Sequence, residues 1–115
     1  MFDVESALVA WLPRAVGVPC FADVPDPRPE TFLTVERTGG SSSLGVDRPG
    51  VAVQAWAPTR ERAANLALTA RDALILRSIE VPQICRCSVD SMYNFPDPDS
   101  RGARYQLSVS LVCRP

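Results

Sequence analysis

Few side chains in this sequence are equipped for chemistry, and two of the usual ones are missing. The chain contains no His, and its 12 basic residues are all Arg, so Lys is absent too. Without His, the one side chain that titrates near neutrality unperturbed is lost. Ser-His-Asp and Cys-His catalysis, the commonest zinc ligands and Schiff-base lysine chemistry go with it. The four cysteines are Cys20, Cys85, Cys87 and Cys113. Cys85-Arg-Cys87 has one intervening residue, unlike the Cys-x-x-Cys of zinc knuckles and thioredoxin-like sites. On a strand, both thiols would share one face and pack as small hydrophobes.

The carboxylate pairs Asp23/Asp26 and Asp97/Asp99 sit among prolines, with no sign of a desolvated pocket to tune them. Asp97 and Asp99 with Ser100 faintly resemble a calcium loop, but no Glu closes the coordination sphere, and turn chemistry is the expectation. Gly39, Gly40 and Gly45 lack the Lys and the spacing of a phosphate-binding loop. Trp11 lies on an apolar helical face and belongs in a core. Trp56, opposite Val53 and Ala55, is the better candidate for an exposed stacking contact. No catalytic, cofactor-binding or metal-ligating residue is assigned, and no enzyme is expected.

With 115 residues, 46% hydrophobic and 22% charged, the chain suits one soluble domain spanning residues 1–115. A net charge of -1 gives no footprint for specific nucleic-acid binding. Arg60/Arg62 and Arg101/Arg104 are the closest approaches to a basic patch. The acidic N-terminus does not read as a signal peptide, and no apolar run approaches the roughly 20 residues of a membrane span. A cytoplasmic product with reduced thiols is the expectation.

The elements that position these residues follow from periodicity. Asp3 as N-cap and the face Val4, Ala7, Leu8, Trp11 and Leu12 predict a helix over 3–13, closed by Pro13 and Gly17. A short strand is expected within 19–24, then an extended Pro25–Pro29 loop. Strands are predicted over 31–37 and 51–57, joined by a long hairpin loop over 38–50, of a length that tends to be functional or disordered. Thr59 caps a long helix, about 59–78, whose main face is Ala63, Leu66, Ala67, Ala70 and Leu74. Ala64, Leu68 and Ile75 form a second apolar stripe about 100° or more around the helix. That stripe meets either a second surface of its own domain or a partner subunit. The segment 84–92 reads as a strand with Cys85, Cys87 and Val89 on one face. In 103–113, Tyr105, Leu107, Val109, Leu111 and Cys113 alternate with polar residues, the pattern of a strand with one wet face. The order α-β-β-β-α-β-β describes an α+β domain: a mainly antiparallel sheet of four or five strands with two helices on one face.

Three stretches carry a resemblance: the Gly/Ser-rich segment 38–50, VAVQAWAPTRERAANLALTARDAL, and YNFPDPDSRGARYQLSVSLVCRP. Together with the N-terminal helix, they resemble the small tail terminator and tail completion proteins of long-tailed phages and prophages, of the lambda type. The likeness covers most of the chain and consists of an element pattern with loose motifs. It implies a structural protein that forms a hexameric ring, caps the tail tube and joins it to the head or neck. Its implied partners are the tail tube protein and head-neck connector proteins, first in the host cytoplasm and then in the virion tail. On this reading Ala64, Leu68 and Ile75 are the candidate subunit interface, since a closed ring needs two different patches per subunit. Ser41, Ser42, Ser43, Leu44, Asp47 and Arg48, with Phe95, Asp97, Asp99 and Arg101, are candidate partner contacts. The alternatives are a head-tail connector subunit, a small ligand-binding domain using Asp or Cys, and a regulatory module of antitoxin type.

Overall fold

The first helix begins where Asp3 supplies its missing acceptors. The Asp3 carboxylate accepts from the Glu5 and Ser6 backbone N–H groups, at 3.1 and 3.4 Å, and from the Ser6 hydroxyl at 2.7 Å. The Ser6 bonds, above all, hold its pKa below the ordinary value. The structure, a computed structural model, describes residues 2–99 and 102–115. Helix α1 spans Val4–Val16, three residues beyond the expected end, with Pro13 inside it. Pro13 cannot donate to the turn before it, but it does not stop the helix. The stop is Gly17, at φ 89°, whose N–H returns to the Pro13 carbonyl at 2.9 Å. Val4, Leu8, Trp11 and Leu12 form its buried face.

Strand β1, Cys20–Phe21, is shorter than the expected 19–24 and pairs parallel with the next strand, Cys20 opposite Leu33. Strands β2 (Phe32–Ser43) and β3 (Val46–Ala57) follow, then α2 (Arg60–Arg77), a 3-10 turn (Ser78–Glu80), β4 (Ile84–Asn94) and β5 (Ala103–Cys113). The sheet order is β1-β2-β3-β5-β4, antiparallel except for β1. Both helices cover one face: α1 packs on β1, β2 and α2, while α2 crosses β3, β5 and β4. Leu33 and Val35 (β2), Val51, Val53 and Ala55 (β3) and Leu107, Val109 and Leu111 (β5) meet Leu8, Trp11, Leu12, Ala67, Ala70 and Leu74 in the core. This is the α+β architecture expected, with Thr59 capping α2 through the Arg62 N–H at 3.2 Å.

The loop expected over 38–50 is instead a hairpin arm. Pairing runs on from Arg37–Val51 to Ser43–Val46, leaving Leu44 and Gly45 as a two-residue turn. Gly45, the second central residue, has φ 78° while Leu44 has no positive φ, the arrangement that calls for glycine at the second position of a turn. A bulge at Thr38 absorbs one residue. Pro49 therefore lies inside β3, fully buried, where no β5 residue pairs with it. That gap in the ladder is where a residue without an N–H fits. Gly40 stands opposite Pro49 at φ 100°; a Cβ there would overlap the Arg48 carbonyl oxygen and lie 2.7 Å from Pro49 Cα. Gly40→Ala is expected to cost about 1–3 kcal/mol, felt first as faster amide exchange in the arm, with the α-helical signal intact.

Strand β4 carries two bulges, at Cys85 and Asp90. The first ejects Cys85 from the face expected for it: Ile84 is buried, Cys85 exposed, and Cys87, Val89 and Met92 turn back toward the core. Strand β5 matches its alternation residue for residue, with Leu107, Val109, Leu111 and Cys113 buried.

Candidate functional site

The second stripe of α2 is only partly covered by the rest of the chain. Ala64 and Leu68 are half-buried, and Ile75 is 50% exposed. Leu76 and Ile79, at 73% and 69%, extend the apolar patch past the helix end into the 3-10 turn. Helical periodicity alone did not reach Ile79, because the turn breaks the 3.6-residue count. Glu80 pins this end of the patch. It accepts from Trp11 Nε1 at 3.1 Å and from Arg77 Nε at 3.0 Å. Arg77, chiefly, and Trp11 hold its carboxyl below the usual range.

The candidate contacts of the arm and of the β4–β5 connection fall at opposite ends of the sheet, since Ala103 pairs with Ala57 at the far end of β3. In the arm, Ser41, Ser42, Ser43, Leu44 and Arg48 are exposed and Asp47 is half-buried. Arg37 grips Asp47 with two bonds of 2.7 and 2.8 Å, and Ser42 Oγ donates to Asp47 at 2.6 Å. The Arg37 N–H, on the open edge of β2, donates to Glu5 at 3.0 Å. The arm is thus braced at its base. The Arg37 bonds, then Ser42, depress the Asp47 pKa. Because the folded value lies below the unfolded one, the brace is fully present above the ordinary carboxylate value of about 3.9. It is lost as pH falls through the lower folded value. Amide protection in the arm should be flat from neutral pH to about 5 and fall only below about 4, while Asp47→Asn removes the pH dependence. Loss of protection already near neutrality would contradict this.

In the β4–β5 connection, Phe95 meets Tyr93 edge-on, with ring centroids 5.8 Å apart, and Arg104 lies 4.3 Å over its ring. Arg104 and Phe95 also exchange a backbone bond of 2.8 Å, and Arg104 Nε donates to the Phe95 carbonyl at 2.7 Å. Asp97 is half-buried and accepts the Asp99 N–H at 3.0 Å, an Asx turn. Asp99 is exposed, and Arg101, like Ser100, lies outside the described residues.

Trp56 is not the exposed platform expected. It is only 4% exposed. Phe32 stacks on it at 5.4 Å, and Arg28 and Arg104 reach its ring at 5.3 and 4.9 Å. Its Nε1–H donates to Thr34 at 3.1 Å. A recess of about 270 Å3 beside it is lined by Arg28, Phe32, Trp56 and Pro58. Two arginines far apart in sequence thus meet at one ring, which no spacing rule detects. From Thr34 a polar ladder crosses the helix-free face of the sheet. Thr34 Oγ1 donates to Gln54 (3.1 Å), Gln54 Nε2 to Gln106 (2.8 Å) and Gln106 Nε2 to Tyr93 Oη (2.6 Å). One side chain from each of β2, β3, β5 and β4 takes part.

Burial raises the thiol pKa of Cys20 to about 12 and those of Cys87 and Cys113 to about 11, so these three stay protonated at neutral pH. Among the described residues no group of three or more His, Cys, Asp or Glu is placed to hold a metal ion. Among them, too, no helix is long and apolar enough to cross a membrane.

No family model matches this sequence, and no curated protein matches it. A solved structure does: a chain of a structure described as "Virion of native gene transfer agent (GTA) particle". The TM-score is 0.62 at 15% sequence identity, over 97% of this chain and 90% of that one. At that identity the likeness is one of fold, and it is nearly end to end: this chain has the fold of a chain from that virion particle.

Proposed function

We propose that this protein is a structural component of a phage-like particle. It works as a tail terminator: a non-enzymatic ring, of six subunits by the sequence resemblance, that caps the tail tube and joins it to the head or neck. The near end-to-end likeness to a chain of a gene transfer agent virion carries the reading. The sequence resemblance to tail terminators supplies the position within the particle. The uncovered Ile75–Ile79 patch supports self-assembly, because an apolar surface left bare marks an interaction site. The protein meets the tube protein on one side and a neck connector on the other, needs no cofactor, and passes from the host cytoplasm into the virion tail. Candidate contacts at both ends of the sheet suit a subunit held between two neighbours.

Deleting the gene is expected to give overlong tails and tailless heads, as an unterminated tube would. A head-tail connector subunit, the second reading, would instead leave tails of normal length unattached. In purified protein, Leu68→Asp with Ile75→Asp is expected to abolish ring formation by light scattering, with circular dichroism unchanged. Rings that survive the double substitution would remove α2 from the interface.

A further inference from the structure

The ring reading leaves open what covers the α2 patch, and the fold offers an answer within the same sequence. We infer that the occupant is the hairpin arm of a second copy of this chain, with Leu44 seated on Ile75, Leu76 and Ile79. This rests on the proposed ring, specifies its joint, and assigns Leu44 to that joint instead of to the tube or neck.

Leu44 is fully exposed at the tip of the arm, directly after the run Gly39-Gly40-Ser41-Ser42-Ser43. A two-residue turn completed by Gly45 makes no demand for an apolar residue, and polar residues dominate such turns. Leu44, Ile75, Leu76 and Ile79 are four of the seven exposed large hydrophobic side chains among the described residues. One chain cannot join them internally. The arm continues β2 and β3, the 3-10 turn leads into β4, and β5 lies between. The Arg37–Asp47 brace keeps the arm extended, away from its own helix.

Direction and charge agree. Strand β3 starts at the arm, and α2 runs back from its far end, so the helix C-terminus and the arm share one end of the sheet. They occupy different flanks of that end, which suits a head-to-tail contact repeated around an axis. From Ser41 to Val46 the arm is uncharged. The charges around the patch are paired with each other, Arg71 to Asp72 at 3.2 Å and Arg77 to Glu80 at 3.0 Å. Docking an apolar tip there strands no charge.

Complementation tests the joint with full-length protein. Leu44→Asp removes the arm's tip, and Ile75→Asp with Ile79→Asp removes its seat; all three positions are exposed, so folding is retained. Wild type is expected to form rings in light scattering. Each variant alone should need about tenfold more protein or higher to assemble, and an equimolar mixture of the two should give a 1:1 heterodimer through the one intact joint. Should Leu44→Asp not fold, Leu44→Ser takes its place. Wild-type rings that persist in the Leu44 variant overturn the arm-to-helix joint and leave the ring standing. So does a mixture that stays monomeric. Wild-type protein that is monomeric at every concentration overturns both.

Discussion

Trp56→Ala is expected to destabilise the protein by about 3–5 kcal/mol, a large share of the roughly 5–15 kcal/mol that holds a domain together. The side chain is nearly inaccessible and touches groups from three segments: the 25–29 loop, β2 and β5. It stacks on Phe32, its ring lies beneath Arg28 and Arg104, and its indole N–H is satisfied by Thr34. Truncation leaves a gap on the helix-free face among Phe32, Arg28 and Arg104, which the β2–β3 ladder, pairing Phe32 with Trp56, keeps from closing. It also frees the Pro25–Pro29 loop, which Arg28 ties to the ring. Urea unfolding should show a lower midpoint at unchanged slope. Arg28→Ala, losing one face-on contact at an exposed site, is expected to cost only about 0.5–1 kcal/mol. A loss below about 1 kcal/mol for Trp56→Ala would mean that the aromatic layer is not close-packed.

Ala67→Leu tests the opposite limit. Ala63, Ala67 and Ala70 are completely buried where α2 lies on the sheet, so these small residues set the distance between helix and strands. Three added carbons must push the helix away or force a strained rotamer, a cost of about 1–3 kcal/mol or more. Ala64, one position round on the half-buried outer stripe, is the internal control, and Ala64→Leu should stay within about 0.5 kcal/mol. Equal effects at 64 and 67 would contradict the packing of α2. Thermal unfolding of the two variants decides it.

Much of this was legible in the residues. Helix α2 showed its buried face through the 3.6-residue spacing of alanines and leucines, and β5 through strict alternation, because in both the core lies on one side only. The arm was not legible: Gly39-Gly40-Ser41-Ser42-Ser43 has turn composition, and its order comes from cross-strand pairing and the Arg37–Asp47 clamp. Two-residue turn chemistry at Leu44-Gly45 was the available signal. Trp56 misled for a related reason. Alternation set it on the helix-free face, but what buries it arrives from residues 28, 32 and 104. Cys85 was displaced by a bulge, which alternation does not announce. Of the candidate contacts, the α2 stripe was visible as a pattern, and its continuation to Ile79 needed the turn.

The polar ladder on the helix-free face bears on how this chain chooses among near-identical arrangements of its strands. Alternation forbids β5 from sliding by one residue against β3, since that would turn its apolar set outward. It does not forbid sliding by two. Val53 would then face Val109 instead of Leu107, and the inward face would stay apolar. No tight turn links these strands either, because α2 lies between them. The wet side does notice. After such a slip Gln54 would face Ser108, whose short hydroxyl replaces the matching amide, and Trp56 would face Gln106 in place of the Arg104 guanidinium. The native alignment is therefore set apart from its two-residue decoy by half-buried amides and an exposed phenol, on the face of the sheet that no helix covers.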